Sequence, residues 1–516
     1  MAKSYDAVVI GAGLGGLSAA TRLARLGRRV LLLEKHNVPG GYATSFVRGR
    51  FEFEVALHEL SGIGGGAHPG GLWRYLESLG VAEKIETVRI PVFYRSVFPD
   101  RDLRLPVGRE AYEAAMCDAF PRDAAGIRNF LKRIHTLSAD INFFYRTAIH
   151  RRVPGPAEIA TLPWKIGDVA RHALVTWGRM LNRDVKDPQA RAVLSQIWGY
   201  FGLPPSKISY LYFAMGMASY IEQGPTYIKG RSQALSHAFV KAFEECGGEA
   251  RFNAPVAKIL VKGDRVTGVA TRDGEEFATR CVISNVDPVS TCAELIGAEK
   301  TPERFWRRLR SCTVGASSFN VYLGLASPPE KFGLTDHETF VNADYDIESH
   351  WAKMKTLDPT GGVAVTCYNA VWPEISPPGT SIVVLTALNY GEPWRAVAPA
   401  DYVATKNRIA AAMLDMVERV APGLRERAEV IEVSTPVTNM RFAGQLGGSI
   451  YGFDQPPGEA AFFRLPHWGP LKGLYFAGAW TPPGGGFEPA IMSGRIAADV
   501  AAAFARSKGK GAGDGR

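Results

Sequence analysis

YDAVVIGAGLGGLSAATRLARLGRRVLLLE, from Tyr5 to Glu34, decides how the whole chain is read. Ala7 to Ile10 is a short apolar run without turn residues, which predicts a buried parallel strand. It ends at Gly11-Ala12-Gly13-Leu14-Gly15-Gly16. Beyond that point Leu17, Ala20, Leu23 and Ala24 fall three and four apart, so a helix follows, and Gly27 stops it. Val30 to Leu33 is a second apolar strand, with Glu34 at its end. Strand, glycine turn, helix, strand and acid within about thirty residues is the context a dinucleotide-binding G-x-G-x-x-G requires.

Each part has a physical task. Gly11 allows the tight turn, Gly13 lets the backbone approach a pyrophosphate, and Gly16 lets the helix pack closely on the strand. The free N–H groups and positive end of the helix face the phosphates. Glu34 accepts hydrogen bonds from an adenosine ribose. The following Pro39-Gly40-Gly41-Tyr42-Ala43-Thr44-Ser45 again permits close backbone approach to a ligand. No second unit of this kind follows, because Gly62, Gly64 and Gly65 lack the spacing, so one dinucleotide site is expected.

With 516 residues the chain can bury large cores, and two interwoven domains are expected. Its 46% hydrophobic and 22% charged residues are ordinary for a globular protein. Six cysteines without C-x-x-C spacing suggest free thiols in a reduced, cytoplasmic setting, and no metal site is expected. A strand begins within five residues of the start, which leaves no room for a signal peptide. The uncharged stretch Ile208 to Ile221, fourteen residues, is too short to span a bilayer. The net charge is +9, and Arg122 to Arg191 alone holds thirteen Lys/Arg against six Asp/Glu. Such a bias suits a peripheral contact with an anionic membrane, or simply a solvated face. No recognition motif accompanies it, so nucleic acid is not an expected partner.

Along the chain, Phe51 to Val55 alternates with period two and predicts a strand with one buried face. Glu110 to Asn142 reads as mostly helix, Arg151 to Pro163 as a connector, and Lys165 to Asn182 as one amphipathic helix. Gln196 to Tyr220 is rich in aromatics and Met, which suits either core or the lining of an elongated apolar pocket. Strands are expected near 250–252, 254–261, 266–271, 276–279 and 281–285. Phe319 to Leu325, Val363 to Cys367 and Ile382 to Leu388 suggest a second domain with an antiparallel sheet. Leu474 to Ala479 reads as a strand and Glu488 to Ala503 as a helix whose start faces the same site as the first.

Together these stretches carry a resemblance. G-A-G-L-G-G with Glu34, P-G-G-Y-A-T, F-E-F-E-V-A-L-H, A-P-V-A-K-I, C-V-I-S-N-V-D-P and G-L-Y-F-A-G-A-W…G-G-G-F…A-I-M-S-G-R-I-A-A resemble the phytoene desaturase-like flavoproteins. F-E-F-E-V-A-L-H and M-R-F-A-G-Q-L-G-G-S-I-Y-G-F are most similar to the carotenoid isomerase and retinol saturase branch. The resemblance implies an α/β fold: a discontinuous, Rossmann-like FAD-binding domain with an inserted α+β substrate domain. The FAD-binding part would comprise residues 1–95, 225–295 and 440–505. The substrate part, with membrane-facing helices, would comprise 96–224 and 296–439, and 506–516 would form a disordered tail. It further implies that Gly11, Gly13, Leu14, Gly15, Gly16, Glu34 and Lys35 hold the ADP half of FAD. Gly41, Thr44 and His58 would lie along the flavin half, Val256 would meet the adenine through its backbone, and Gly478, Ala479 and Ile491 would close on the pyrophosphate and isoalloxazine. Two departures stand out: Lys229-Gly230-Arg231 replaces a proline-glycine-glycine, and Ala479 stands where many relatives are acidic.

The implied activity is hydride exchange between flavin N5 and an apolar isoprenoid or polyene, by desaturation, saturation or isomerisation. Trp480 and Phe487 would line the substrate face. His58, Glu59 and Glu488 are the candidates for proton transfer, each of which also reads as structural or flavin-contacting. Two other readings stand beside this one: an FAD-dependent amine oxidase, and a non-catalytic prenyl-binding escort on the same fold.

Overall fold

The computed structural model describes residues 3–65, 68–150 and 156–509. At its centre lies a five-stranded sheet, every pair parallel, in the order Glu249–Arg251, Val30–Leu33, Ala7–Ile10, Val282–Ser284, Leu474–Phe476. Val8 and Val9 are fully buried. Burying each stabilises the fold by roughly 1.5–3 kcal/mol, which is why an unbroken apolar run can only be a strand covered on both faces. The Leu14–Arg25 helix runs along one face and packs on the last helix, Phe487–Gly509. That contact is close because Gly494 meets the Gly15 carbonyl. Ser18 Oγ donates to the Ile491 carbonyl at 2.7 Å and reinforces it. A Cβ on Gly494 would abolish the approach.

A four-stranded sheet (Lys3–Ser4, Glu276–Ala278, Arg265–Thr271, Val256–Lys262) adjoins this unit. The other large sheet has seven strands, in the order Arg101–Pro106, Val92–Phe98, Glu338–Asn342, Gly362–Cys367, Ser381–Asn389, Ser317–Leu325, Ala428–Ser434. It is antiparallel except where Val92–Phe98 pairs with Glu338–Asn342 in parallel, a correction to the purely antiparallel expectation. Val92–Phe98 also crosses the expected 95/96 boundary. Helices Arg109–Ala119, Ala124–His150, Pro156–His172, Trp177–Asp184 and Tyr210–Gln223 cover this part. Buried Trp177 ties three of them together, its ring lying 4.8 Å from Phe130 and 4.3 Å from Phe213.

Three further expectations are corrected. Residues 156–163 are not connector but the start of the Pro156–His172 helix; 151–155 lie outside the described residues. Pro156 costs nothing at a first turn, where its N–H would have no partner anyway. The expected helix Lys165 to Asn182 is two helices, because Thr176 caps a new one by accepting from Arg179 N–H at 3.3 Å. The final helix continues to Gly509, into the stretch read as tail; 510–516 lie outside the described residues. All six cysteines are free thiols.

Candidate cofactor and substrate cavity

One continuous cavity of about 1020 Å³ joins the glycine turn to the interior of the seven-stranded sheet. That lies at the top of the roughly 300–1,000 Å³ usual for small-molecule sites, so it has room for two molecules in series.

Its first half is built from backbone. Gly11, Gly13, Leu14, Gly15, Glu34, Lys35, Gly41, Thr44, Val256, Gly478 and Ala479 all line it. Gly11 has φ +92°, and its N–H donates to the Leu33 carbonyl at 2.8 Å, so the chain turns sharply at the end of its strand. Gly40 N–H donates to the Ala12 carbonyl at 2.8 Å and ties the second glycine pair to the first. The Glu34 carboxylate accepts from Ala12 N–H at 2.6 Å and His36 N–H at 2.8 Å. It therefore clamps the turn. Thr44 Oγ1 donates to Gln233 Oε1 at 2.5 Å. Asn285, at the end of the Val282–Ser284 strand, sits against three of the glycines. A Cβ on Gly13 would lie 2.5 Å from its Nδ2, and one on Gly15 or Gly478 would lie 2.6 Å from its Oδ1. This is a cradle that side chains would fill, as close approach of a pyrophosphate demands. The buried His36 Nδ1, on the cavity wall, has no partner among the described residues and suits a ligand's polar edge.

Gly16 and Ile491 do not reach the cavity. Gly16 abuts the Gly11 carbonyl, and Ile491 is buried between helices Leu14–Arg25 and Phe487–Gly509. Their part is to hold the helix start in place. Gly486, Phe487 and Ala490 bring the last helix's N-terminus to the cavity wall. Trp480 lines it too, with Nε1 donating to Gln445 Oε1 at 2.7 Å. Arg231, the departure from the family pattern, faces away: it donates to the carbonyls of Glu52 and Ile375 and pairs with Glu52 at 3.1 Å.

Arg464 was not legible as a site residue. It is buried, and its guanidinium donates to the carbonyls of Thr481 (3.2 Å), Phe453 (3.0 Å), Tyr451 (3.4 Å) and Ala479. Burial lowers its pKa to about 10, so it stays charged at neutral pH. One cation thus pins the closing segment against the cavity.

The second half is built from side chains. Trp198, Tyr200, Tyr220, Phe340, Val363, Ala364 and Leu388 give an apolar, aromatic wall. Trp198, Tyr200 and Tyr220 therefore belong to the pocket, whereas Tyr210, Phe213 and Met217 from the same aromatic run are core. A polar group lies within this wall. His58 Nδ1 sits 3.2 Å from Glu338 Oε1 and 2.6 Å from Thr366 Oγ1, and the Thr366 hydroxyl donates to Glu338 Oε2 at 2.8 Å. The His58 carbonyl accepts from His337 Nε2 at 2.7 Å. His337 is neutral, because burial pushes its pKa down. Next to His58, Glu59 lines the cavity, with Tyr200 OH donating to Oε2 at 3.4 Å. Burial, then the nearby Glu338, hold its carboxyl well above the usual carboxylate range. Glu488 is outside the cavity wall: it accepts from Ser61 Oγ, and burial raises its pKa.

Glu54, expected on a solvent-facing strand side, is fully buried. Its carboxyl accepts from Ser232 N–H (2.7 Å), Ser232 Oγ (2.5 Å) and Tyr227 OH (3.1 Å), and locks the strand before His58 to the Arg231–Glu245 helix. Period-two alternation marks only which faces differ, not that one is wet.

Comparison with known proteins agrees with this geometry. The family model "Flavin containing amine oxidoreductase" matches residues 14–502. A chloroplastic prolycopene isomerase 2 of an Oncidium hybrid cultivar is 28% identical, over 97% of this chain and 85% of its own. The all-trans-retinol 13,14-reductase of Danio rerio is 24% identical, over 92% of this chain and 82% of its own. Among solved structures, cyclohexylamine oxidase from Brevibacterium oxydans superposes with a TM-score of 0.60 at 16% identity, over 98% and 99% of the two chains, and so shares the fold.

Proposed function

The chain belongs to the flavin-containing amine oxidoreductases, and we propose that this FAD-dependent member acts on carbon–carbon double bonds of an apolar isoprenoid or polyene. The observation that carries this reading is the single cavity, which runs from the glycine cradle straight into an aromatic, apolar chamber. Its relatives' names, prolycopene isomerase and retinol 13,14-reductase, point to the same substrate class.

Bound FAD supplies hydride chemistry. Gly11, Gly13, Gly15 and Gly478 would receive its pyrophosphate, Glu34 its ribose, and Gly41, Thr44 and Ala479 its flavin half. The chain's own contribution is then positional. Trp198, Tyr200, Tyr220 and Phe340 exclude water and hold a polyene by contact area rather than by polar handles. His58, fixed by Glu338 and Thr366, orders the chamber's polar corner. We take residues 1–95, 225–295 and 440–505 as the cofactor part and 96–224 and 296–439 as the substrate part. The five-stranded sheet draws strands from each of the first three pieces, which supports that division.

The test is incubation of the purified flavoprotein with all-trans-retinol and with prolycopene, under oxidising and dithionite-reduced conditions. New double-bond isomers or saturated products are expected. Peroxide release with an amine panel, and none of those products, would instead favour an amine oxidase; a colourless preparation would favour the escort.

The same reading includes where the substrate comes from. Among the described residues no helix is long and apolar enough to cross a membrane. Yet Trp164, Ile166 and Leu174 are 79%, 50% and 67% exposed on and just beyond the Pro156–His172 helix, beside Arg171 and within the basic segment. Exposed apolar side chains flanked by cations suit an interface with anionic lipid.

A further inference from the structure

Glu59 is a carboxyl group with no ion-pair partner among the described residues. Its residue is only 7% exposed, and Oε1 has no hydrogen-bond partner among the described residues. Oε2 has one long contact, the Tyr200 hydroxyl at 3.4 Å, while Tyr220 OH fixes the backbone by donating to the Glu59 carbonyl at 3.2 Å. The neighbouring Glu338 differs in every respect. It is fully buried but holds the Thr366 hydroxyl at 2.8 Å and faces the His58 ring at 3.2 Å. The nearby Glu338 favours the protonated form of the Glu59 carboxyl. Burial acts on Glu59 in the same direction. The group thus sits on the wall of an aromatic chamber whose expected occupant offers nothing but double bonds for a proton to reach.

We propose that Glu59 is the proton donor and acceptor of this site, delivering a proton from its carboxyl to a double bond of the bound polyene, with Glu338 as the positioning residue that keeps it in the acid form. This rests on the polyene reading above. In the step the Glu59 O–H bond breaks, the π pair of the double bond forms the new C–H bond, and the adjacent carbon is left electron-poor. Rotation followed by return of the proton to the carboxylate gives cis–trans isomerisation with no change in oxidation level. Bound FAD in its reduced form would supply a hydride for the adjacent carbon, which would give net saturation, and the carboxylate regains its proton from solvent. The groups set around Glu59 are Glu338, Tyr200, Tyr220 and Tyr94, with His58 beside it in the chain.

The experiment uses the flavin-loaded protein, with all-trans-retinol and prolycopene as probes in H₂O and in D₂O, and four chains: wild type, E59Q, E59D and E338Q. E59Q is expected to keep its flavin absorbance and lose turnover by about 10²–10⁴-fold, the usual weight of general acid catalysis, with partial rescue in E59D. Wild-type product formed in D₂O should carry deuterium at one carbon of the altered bond. Turnover should fall as pH rises through the Glu59 titration, and E338Q should move that limb to lower pH. Independently of turnover, the wild type minus E59Q infrared difference should show a protonated carboxyl C=O band at neutral pH. Absence of that band, or undiminished turnover in E59Q, overturns the assignment alone. Failure of the wild type to alter either probe overturns the polyene reading, and the assignment with it. Should E59Q not fold, the E59D pH profile and band position decide.

Discussion

Gly15→Ala asks whether the glycine cradle is a cofactor seat or merely a tight turn. Gly15 lies in the first turn of the Leu14–Arg25 helix, where alanine would by propensity alone gain up to about 1 kcal/mol. The added Cβ would however stand 2.6 Å from Asn285 Oδ1, 2.6 Å from Gly478 N and 2.7 Å from Gly478 Cα. Ordinary contact begins at 3.4 Å, so both sides must give by about 0.8 Å. One of them is backbone and cannot escape by changing rotamer. Overpacking of this kind costs about 1–3 kcal/mol, so the collision outweighs the helical gain. The displaced atoms are also the cradle's walls, and a tenfold or greater loss of FAD affinity is expected. At an FAD concentration 100 times the wild-type Kd, ligand stabilisation is about 2.7 kcal/mol; a tenfold weaker site leaves about 1.4 kcal/mol. The assay is thermal melting with and without added FAD, together with flavin retained through gel filtration. Gly263→Ala is the control, because Gly263 has φ +61° with nothing within 4 Å of its Cβ. It should lower stability by about 1–2 kcal/mol through backbone strain and leave the FAD increment unchanged. If G15A keeps stoichiometric flavin and the full increment, the cradle is not where the cofactor binds.

Three further outcomes are expected. Arg464→Met leaves four carbonyls without their donor, two of them on residues of the cavity wall, and should cost about 3 kcal/mol and release flavin at lower temperature, read by flavin fluorescence on heating. Asp454 is buried, which raises its pKa from 3.8 to about 7, so the folded state binds its proton more tightly than the unfolded one. Its contribution to stability is then full below about pH 4 and is lost as pH rises to about 7, up to roughly 4 kcal/mol; the melting-temperature gap between wild type and D454N should narrow or invert over that window and be flat above it. Finally, the wild type should float with liposomes containing anionic lipid but not with neutral ones, and a W164E/L174E double variant should stay in solution with unchanged flavin content; equal flotation of both proteins would remove the Pro156–His172 face from the membrane reading.

What could be read from the chain depended on how far apart the cooperating residues lie. The Ala7–Ile10 strand, its turn, the Leu14–Arg25 helix and Glu34 form a unit in which each rule acts over a few residues, and the structure has all of them. The strands Val92–Phe98 and Arg101–Pro106 were missed although Pro99-Asp100 marks a turn between them. The first strand's pattern is broken by Arg95 and Ser96, and it is fixed in the sheet by a parallel partner, Glu338–Asn342, about 240 residues away. Pro163 argued against a helix that nevertheless forms around it. Glu338 drew no notice at all. It lies in an unremarkable strand, and its meaning comes only from His58, 280 positions earlier.

The two halves of the cavity therefore differ in kind. The cofactor half is mostly main chain: a turn shape, a helix start, and glycines that keep side chains out. The glycine turn and helix start of that seat are encoded by residues adjacent in sequence, since neighbouring φ/ψ angles determine them, while Val256, Asn285 and Gly478 close it from afar. The substrate half is mostly side chain, assembled from Glu59, the Gln196–Tyr200 turn, the Tyr210–Gln223 helix and three strands of the seven-stranded sheet. Each of those elements needs only to be apolar on one face to fold, so its sequence carries the folding requirement more plainly than the pocket's. The exception is a charge that folding does not want. Glu54, Glu59, Glu338 and Arg464 are buried ionisable groups, each costly unless partnered. Glu54, Glu338 and Arg464 have their partners and read as fasteners. Glu59 has a single long contact and an oxygen left over, and that residue of unmet chemistry is what separates a working carboxyl from a structural one.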